Sequence, residues 1–255
     1  MVPSLFLAHG SPMLAMEDTE YTRFLGELGR TYRPRAIVIF SAHWETDTIT
    51  VSAHDDVYET IYDFFGFPEE LYQVVYPARG SNEVAELVVE RLRQNGIHVK
   101  KDMVRGLDHG SWTLLSKMYP NADIPVVQVS VNPLLSPAEQ VRIGAALRGF
   151  GDEGILVIGS GVTVHNLRLV DWHATNPESW AVEFDDWLIE KLVDRDVEAL
   201  LRYETLAPHA MKAVPTREHF VPLLLALGCG DSERGGKVMY RGYDFGTLSY
   251  LCMEF

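Results

Sequence analysis

The sequence AIVIF at residues 36–40 decides the fold class, because an uninterrupted apolar run of this length indicates a strand covered on both faces. A second such run, ILVIG, stands at residues 155–159. Further strands are predicted at 4–8, 48–53, 125–131, 237–241 and 247–253. The chain therefore contains enough strand-length runs to build a sizeable sheet.

Helical patterns lie between these strands. Residues 18–30 carry apolar side chains at the spacing of one helical face, and residues 136–150 open with Ser-Pro and a glutamate three residues after the serine. Helices are also predicted at 81–95, 178–193 and 218–227. Strands that alternate with helices predict an α/β fold, a mixed sheet with helices on both faces in a single domain over residues 1–255.

Composition narrows the function classes. The chain has 22 Lys and Arg against 36 Asp and Glu, a formal net charge of −14, which disfavours binding to nucleic acid or to anionic membranes. Two cysteines without a framework spacing predict no disulfide, and the sequence shows neither a signal peptide nor a membrane-length apolar run. We expect a cytoplasmic protein, either monomeric or homodimeric.

Histidines follow the predicted strands. His9 follows the first strand, His43 ends the second, and His165 comes shortly after the ILVIG strand. Ligand sites in open α/β sheets form at the carboxyl ends of strands, so these three imidazoles are placed to meet in space. Histidine is a frequent metal ligand and a general base near neutral pH. The pattern indicates a zinc or iron site, although any single histidine is more often a hydrogen-bonded structural residue.

Two further histidines are weaker candidates on spacing alone. His109 lies in a turn-like Asp-His-Gly segment before a helix, and His219 lies near a helix start, where it could simply face solvent. The remaining four are interpreted as structural: His54, His98, His173 and His209. No HExxH, phosphate-binding, dinucleotide-binding or nucleophile-elbow motif is present.

Eight segments taken together resemble one known family. They are FLAHGSP, SAHWET, FFGFPEELYQVVYPARG, RGLDHGSW, MYPNADIPVVQVSV, DEGILVIGSGVTVHNLR, EHFVPLL and GTLSY, in this order over residues 5–255. The set is similar to the class III extradiol ring-cleavage dioxygenases, and more narrowly to their DOPA-4,5-dioxygenase-like branch. This resemblance implies cleavage of a catecholic ring, such as that of DOPA, by O2 at a non-haem metal centre.

The resemblance also implies roles for the histidines. His9, His43 and His219 would be metal ligands, and His165 would be either a further ligand or the acid/base for the substrate proton. His109 would line the pocket and assist in binding substrate or oxygen. Fe(II) is expected for activity, and Zn2+ is expected to occupy the site as purified.

The sequence departs from the wider class III pattern, in which one metal ligand is a carboxylate. Glu45 and Glu218 adjoin ligand positions and could orient an imidazole, but ordinary polar roles are favoured for both. A four-histidine set would also suit tetrahedral zinc, so two alternatives stay open: a zinc hydrolase and a non-enzymatic metal-binding protein. The aromatic segment at 62–76 is interpreted as core in preference to pocket wall.

Overall fold

The computed structural model describes residues 2–255 and centres on a mixed sheet of eight strands. Residues 2–255 form ten strands, of which eight belong to this sheet and two form a hairpin. In chain order they are β1 (Ser4–Ala8), β2 (Ala36–Glu45), β3 (Thr50–Ser52), β4 (Lys100–Asp102), β5 (Val126–Val131), β6 (Ile155–Gly161), β7 (Lys237–Tyr240), β8 (Tyr243–Asp244), β9 (Leu248–Ser249) and β10 (Cys252–Glu254). The spatial order is β4-β3-β5-β2-β6-β1-β10-β7, with β8 and β9 forming a separate hairpin. Strands β5, β2, β6 and β1 run parallel, whereas β10, β7 and β3 join their neighbours β1, β10 and β5 antiparallel. The predicted mixed α/β sheet is confirmed.

Helices cover both faces of this sheet. They are α1 (Glu20–Thr31), α2 (Asn82–Gln94), α3 (His109–Met118), α4 (Pro137–Ala145), α5 (Ser179–Val193), α6 (Val197–Leu200), α7 (Tyr203–Leu206), α8 (Ala210–Ala213) and α9 (Val221–Cys229). The start of α4 is a capping box, since the Glu139 amide donates to the Ser136 hydroxyl and the Glu139 carboxylate accepts from the Ser136 amide.

Alternation along β2 explains why its sequence is apolar throughout. Ile37 and Ile39 belong to the core shared with α1 and α3, whereas Val38 and Phe40 belong to the core shared with α2, α4 and α9. All four side chains are fully buried. Successive side chains of a strand point to opposite faces, so a strand with helices on both sides needs apolar residues at every position.

Several predicted elements differ from the structure; the helix predicted at 136–150, for example, ends at Ala145. The strand predicted at 247–253 is interrupted at Tyr250, whose amide donates to the Gly242 carbonyl, so that β9 pairs with β8 and β10 pairs with β1. His109 is the first residue of α3 and does not lie in a turn before it, and the helix predicted at 218–227 begins later, at Val221.

Membrane-spanning helices and cysteine pairing can also be read from the structure. Within residues 2–255, no helix combines the length and the apolar composition that a bilayer crossing requires. Cys229 and Cys252 are both free and buried.

Candidate metal centre and substrate cavity

The fold brings five histidines together at one edge of the central sheet. His9 directly follows β1, His43 lies near the carboxyl end of β2, and His165 follows β6, and these three strands are neighbours in the sheet. His109 enters from the start of α3, and His219 enters from the loop that precedes α9. The strand-end histidines are thus joined by the two that spacing alone ranked lower.

Three imidazoles converge through the same ring atom. Nε2 of His43 lies 3.1 Å from Nε2 of His9 and 3.3 Å from Nε2 of His219. His9 is 1% exposed and His219 is 7% exposed, so both imidazoles are almost fully shielded from bulk solvent. Nothing within the described residues separates them, and they form one of the groups whose geometry could hold a metal ion.

The opposite ring nitrogen of each of these imidazoles is held by a hydrogen bond. The Nδ1 partners are Ser160 Oγ for His9 at 3.0 Å, Asp63 Oδ2 for His43 at 3.2 Å and Glu218 Oε1 for His219 at 2.9 Å. A carboxylate can only accept, and the Ser160 hydroxyl already donates its proton to the Gly110 carbonyl. Each Nδ1 must therefore carry the proton, which leaves each Nε2 with a lone pair.

Three converging lone pairs repel one another unless a cation lies between them. Zinc and similar ions bind imidazole nitrogen at roughly 2.0–2.1 Å, which places neighbouring nitrogens of one octahedral or tetrahedral centre about 2.8–3.4 Å apart. The observed separations of 3.1 and 3.3 Å fall in this range. His9, His43 and His219 therefore fit a metal ion, and their fixed tautomers are those that ligation requires.

Burial keeps His9 and His219 neutral. It lowers the pKa of His9 well below the ordinary value, and the neighbouring imidazoles act in the same direction. It also lowers the pKa of His219 to about 4, although the hydrogen bond to Glu218 opposes the change. Burial acts to raise the pKa of Glu218, but the bond with His219 outweighs it and the pKa falls to about 2. Neutral imidazole beside ionised carboxylate is the state that binds metal.

Asp63 connects the metal centre to His109. Its Oδ2 accepts from His43, while its Oδ1 accepts from both Nδ1 of His109 at 2.9 Å and the His109 amide at 3.0 Å. Burial acts to raise the pKa of Asp63, but the hydrogen bonds from His109 and His43 hold it far below the ordinary value. One carboxylate thus fixes the orientation and the tautomer of two imidazoles.

His165 lies beside the three converging nitrogens without adding a fourth. Its ring stacks on His219, with centroids 3.6 Å apart and planes 14° apart. Its nitrogens group with Glu218 and His219, and not with His9 and His43. Burial, followed by the neighbouring His219, lowers the pKa of His165 to about 3. His165 therefore stands apart from the group that His9, His43 and His219 form.

Sequence reasoning missed two of the supporting residues and misjudged a third. Asp63 and Ser160 carry no local signal, since each meets its histidine only through the fold. The interpretation of Glu218 as an ordinary polar residue is wrong, because its carboxylate accepts a hydrogen bond from Nδ1 of the adjacent His219. Glu45 is exposed, and its carboxylate accepts no hydrogen bond within residues 2–255.

A cavity of about 350 Å³ opens above the histidines. All five imidazoles line it, together with Phe64 and Phe67. The aromatic segment at 62–76 therefore divides: Leu71 and Tyr76 are buried in the core, while Phe65 is 91% exposed. The prediction that this segment is core holds for part of it and is wrong for the two phenylalanines at the cavity wall.

Comparisons with known proteins identify the family of this chain. Residues 3–252 match the family described as the catalytic LigB subunit of aromatic ring-opening dioxygenase. Three proteins named 4,5-DOPA dioxygenase extradiol are similar to this chain, and each alignment covers 99% of it. The protein from Escherichia coli (strain K12) is 41% identical and is covered over 94% of its own length. The proteins from Beta vulgaris and Portulaca grandiflora are 39% and 40% identical and are covered over 96% and 95% of their lengths. A crystal structure of an uncharacterized Escherichia coli K12 protein has a TM-score of 0.86 at 39% identity and full coverage of both chains. These relatives do not favour the zinc hydrolase or the non-enzymatic alternative. The chain belongs to the aromatic ring-opening dioxygenase family.

Proposed function

We propose that this protein is an Fe(II)-dependent extradiol dioxygenase that opens the ring of a catechol, DOPA or a related compound, with O2. The observation that carries the proposal is the convergence of three unprotonated Nε2 atoms, with separations of 3.1 and 3.3 Å, at the floor of a cavity. The family supplies the reaction class, and the names of the relatives supply the catechol.

His9, His43 and His219 would hold the metal. Three protein ligands leave coordination positions free, whereas a fourth histidine would favour a closed structural zinc site. Bound there, Fe(II) would supply the redox chemistry that joins a catechol to O2, which Zn2+ cannot supply. Zinc bound in the purified protein would therefore not support the reaction.

His165 is the proposed acceptor of a substrate proton. It lines the cavity and it lies against His219, so it stands beside both the substrate space and the proposed metal ligands. A neutral imidazole can take the proton of a phenol hydroxyl and later return it.

His109 is the proposed pocket residue that orients substrate or oxygen. Asp63 holds its Nδ1 proton, so Nε2 is the ring atom left to interact with a ligand. Its ring contacts the cavity wall at Phe64, with centroids 5.6 Å apart.

The test begins with metal analysis of the purified protein, followed by anaerobic replacement of that metal with Fe(II). Oxygen uptake with DOPA and simple catechols is expected only in the iron-loaded form, and the zinc-loaded form is the matched control. Absence of uptake with every catechol at full iron occupancy would contradict the proposal. Activity that persists under strict anaerobiosis and needs zinc would favour hydrolysis instead.

We further propose that the whole chain acts as one catalytic domain in a reducing compartment such as the cytoplasm, as its two free, buried cysteines suggest.

A further inference from the structure

His43 lies in an irregular stretch of β2. The pairing of β2 with β5 stops at Phe40 and resumes only at Glu45, and its pairing with β6 ends at Ser41. Regular pairing with neighbouring strands sets the direction in which each side chain of a strand points. Other groups must therefore fix the backbone from which the His43 imidazole extends.

Two side chains hold the backbone of His43 in place of a strand partner. The His43 amide donates to Ser41 Oγ at 3.2 Å, and the His43 carbonyl accepts from Nη2 of Arg105 at 3.3 Å. Both of these side chains are bound to Asp108. Its Oδ1 accepts from Ser41 Oγ at 2.6 Å, and its Oδ2 accepts from the same Nη2 of Arg105 at 3.2 Å. One carboxylate is thus linked to the peptide groups on both sides of His43.

The network around Asp108 has little freedom to rearrange. Asp108 and Ser41 are fully buried, and Nε2 of the buried Gln128 donates a further hydrogen bond to Asp108 at 3.0 Å. The guanidinium of Arg105 lies over the ring of Trp44, with its central carbon 4.9 Å from the ring centroid. Buried polar groups that bind one another in this way specify a single arrangement.

The charge of Asp108 is balanced within the same network. Its carboxylate forms an ion pair with Arg105 at 3.2 Å, whereas Asp63 and Glu218 are paired only with imidazoles near the metal centre. The ion pair therefore adds no net charge beside the ligands. An effect of Asp108 on metal binding would come from the geometry of His43 and not from electrostatic attraction.

We infer that Asp108 is a positioning residue of the metal centre, which fixes the backbone of His43 and so directs its Nε2 at the two neighbouring ligand nitrogens. The inference rests on the part of the proposed function that makes His43 a metal ligand. Asp63 holds the ring of the same histidine. The backbone and the imidazole of His43 are thus held by two different carboxylates.

The inference is tested with Asp108→Asn and with Ser41→Ala, a milder change that removes one of the two links. Ser4→Ala is the matched control, because Ser4 is also a buried strand serine but donates to the Ala226 carbonyl. Zn2+ affinity is measured by competition with a chelator, and ligand geometry by the visible d–d absorption of bound Co2+.

Both test variants should bind Zn2+ about tenfold more weakly and shift the Co2+ bands. Ser4→Ala should lower the free energy of unfolding, but leave the Co2+ bands unchanged and Zn2+ affinity within about twofold of wild type. Co2+ bands in Ser41→Ala that match those of wild type would overturn the inference, and this holds even if Asp108→Asn does not fold.

The double variant tests whether Ser41 acts through Asp108. Its loss of Zn2+ affinity should be smaller than the product of the two single losses, and a loss equal to that product would contradict the shared path. Wild-type protein that binds neither Zn2+ nor Co2+ would defeat the proposed function together with this inference. If wild type binds both ions and the iron-loaded form takes up no oxygen with any catechol, only the proposed reaction fails.

Discussion

Replacing Asp63 by Asn gives the sharpest test of the metal centre. The carboxylate accepts three hydrogen bonds: one from His43 through Oδ2, and two from His109 through Oδ1. Asparagine has one acceptor oxygen and one donor NH2 group. The oxygen is expected to stay with the two donors of His109, so the NH2 group turns to His43.

The Asp63→Asn substitution is expected to lower metal affinity because it changes the tautomer of His43. An NH2 group facing Nδ1–H of His43 places two donors against each other, and the conflict is relieved when the imidazole moves its proton to Nε2. That atom is the one that lies 3.1 and 3.3 Å from the other two ligand nitrogens. Loss of an outer partner of a ligand typically costs about 10–100-fold in metal affinity, or roughly 1.4–2.8 kcal/mol.

The assay is competition for Zn2+ between the protein and a chromophoric chelator, followed by metal analysis after dialysis. Asp63→Asn is expected to lose affinity within that range or beyond it. Glu45→Gln is the matched control, because Glu45 lies two residues from His43 but is exposed. Its affinity should change less than about twofold, as for a surface substitution. Wild-type zinc affinity in Asp63→Asn would refute the tautomer argument.

Three further predictions follow from the same geometry. His43→Ala should lose metal, whereas His109→Ala should keep metal and lose turnover; full activity in His109→Ala would show that its assigned role is wrong. Gly110→Ala should weaken metal binding, because its new Cβ would lie 2.9 Å from Cδ2 of His43. In Gly26→Ala the nearest atom to the new Cβ would be 3.6 Å away, so this helix substitution should raise the free energy of unfolding by about 0.5–1 kcal/mol. The free energy of unfolding of the metal-free protein should fall as the pH falls from 6.5 towards 4. Folding lowers the pKa of His219 from 6.5 to about 4, so the unfolded chain binds the proton at a higher pH than the folded chain does. The loss in the free energy of unfolding is roughly 3 kcal/mol. Denaturant titrations at pH 7 and 4.5 measure this, and equal midpoints would contradict it.

Much of the sheet could be predicted because burial on both faces leaves a mark on sequence. The run at 36–40 is apolar at every position since Ile37 and Ile39 enter one core while Val38 and Phe40 enter the other. Strand β4 left no such mark. Its residues, Lys100–Asp102, are polar and pair with β3 at the edge of the sheet, so backbone hydrogen bonds specify the strand and side-chain pattern does not.

The candidate site was only partly predictable, for a similar reason. His9, His43 and His165 could be grouped because each is tied to a strand whose position the apolar pattern reveals. Ser160 is 151 residues from His9, and Asp63 is 46 residues from His109, so their pairing depends on the packed fold. Asp63 stands among aromatic residues whose pattern predicts apolar packing, so the local sequence does not indicate that its carboxylate orients two histidines.

The position of the carboxylates explains how this site departs from the two-histidine, one-carboxylate pattern of iron oxygenases. With three neutral ligands, a divalent ion would keep its full charge of about +2 inside a largely apolar cavity, which is unfavourable. Asp63 and Glu218 supply two negative charges, each one hydrogen bond beyond a ligand, and both stay ionised because the histidines lower their pKa. The site therefore reaches near-neutrality without a carboxylate ligand. Glu218→Gln should accordingly weaken zinc binding, and combining it with Asp63→Asn should weaken it by more than either change alone.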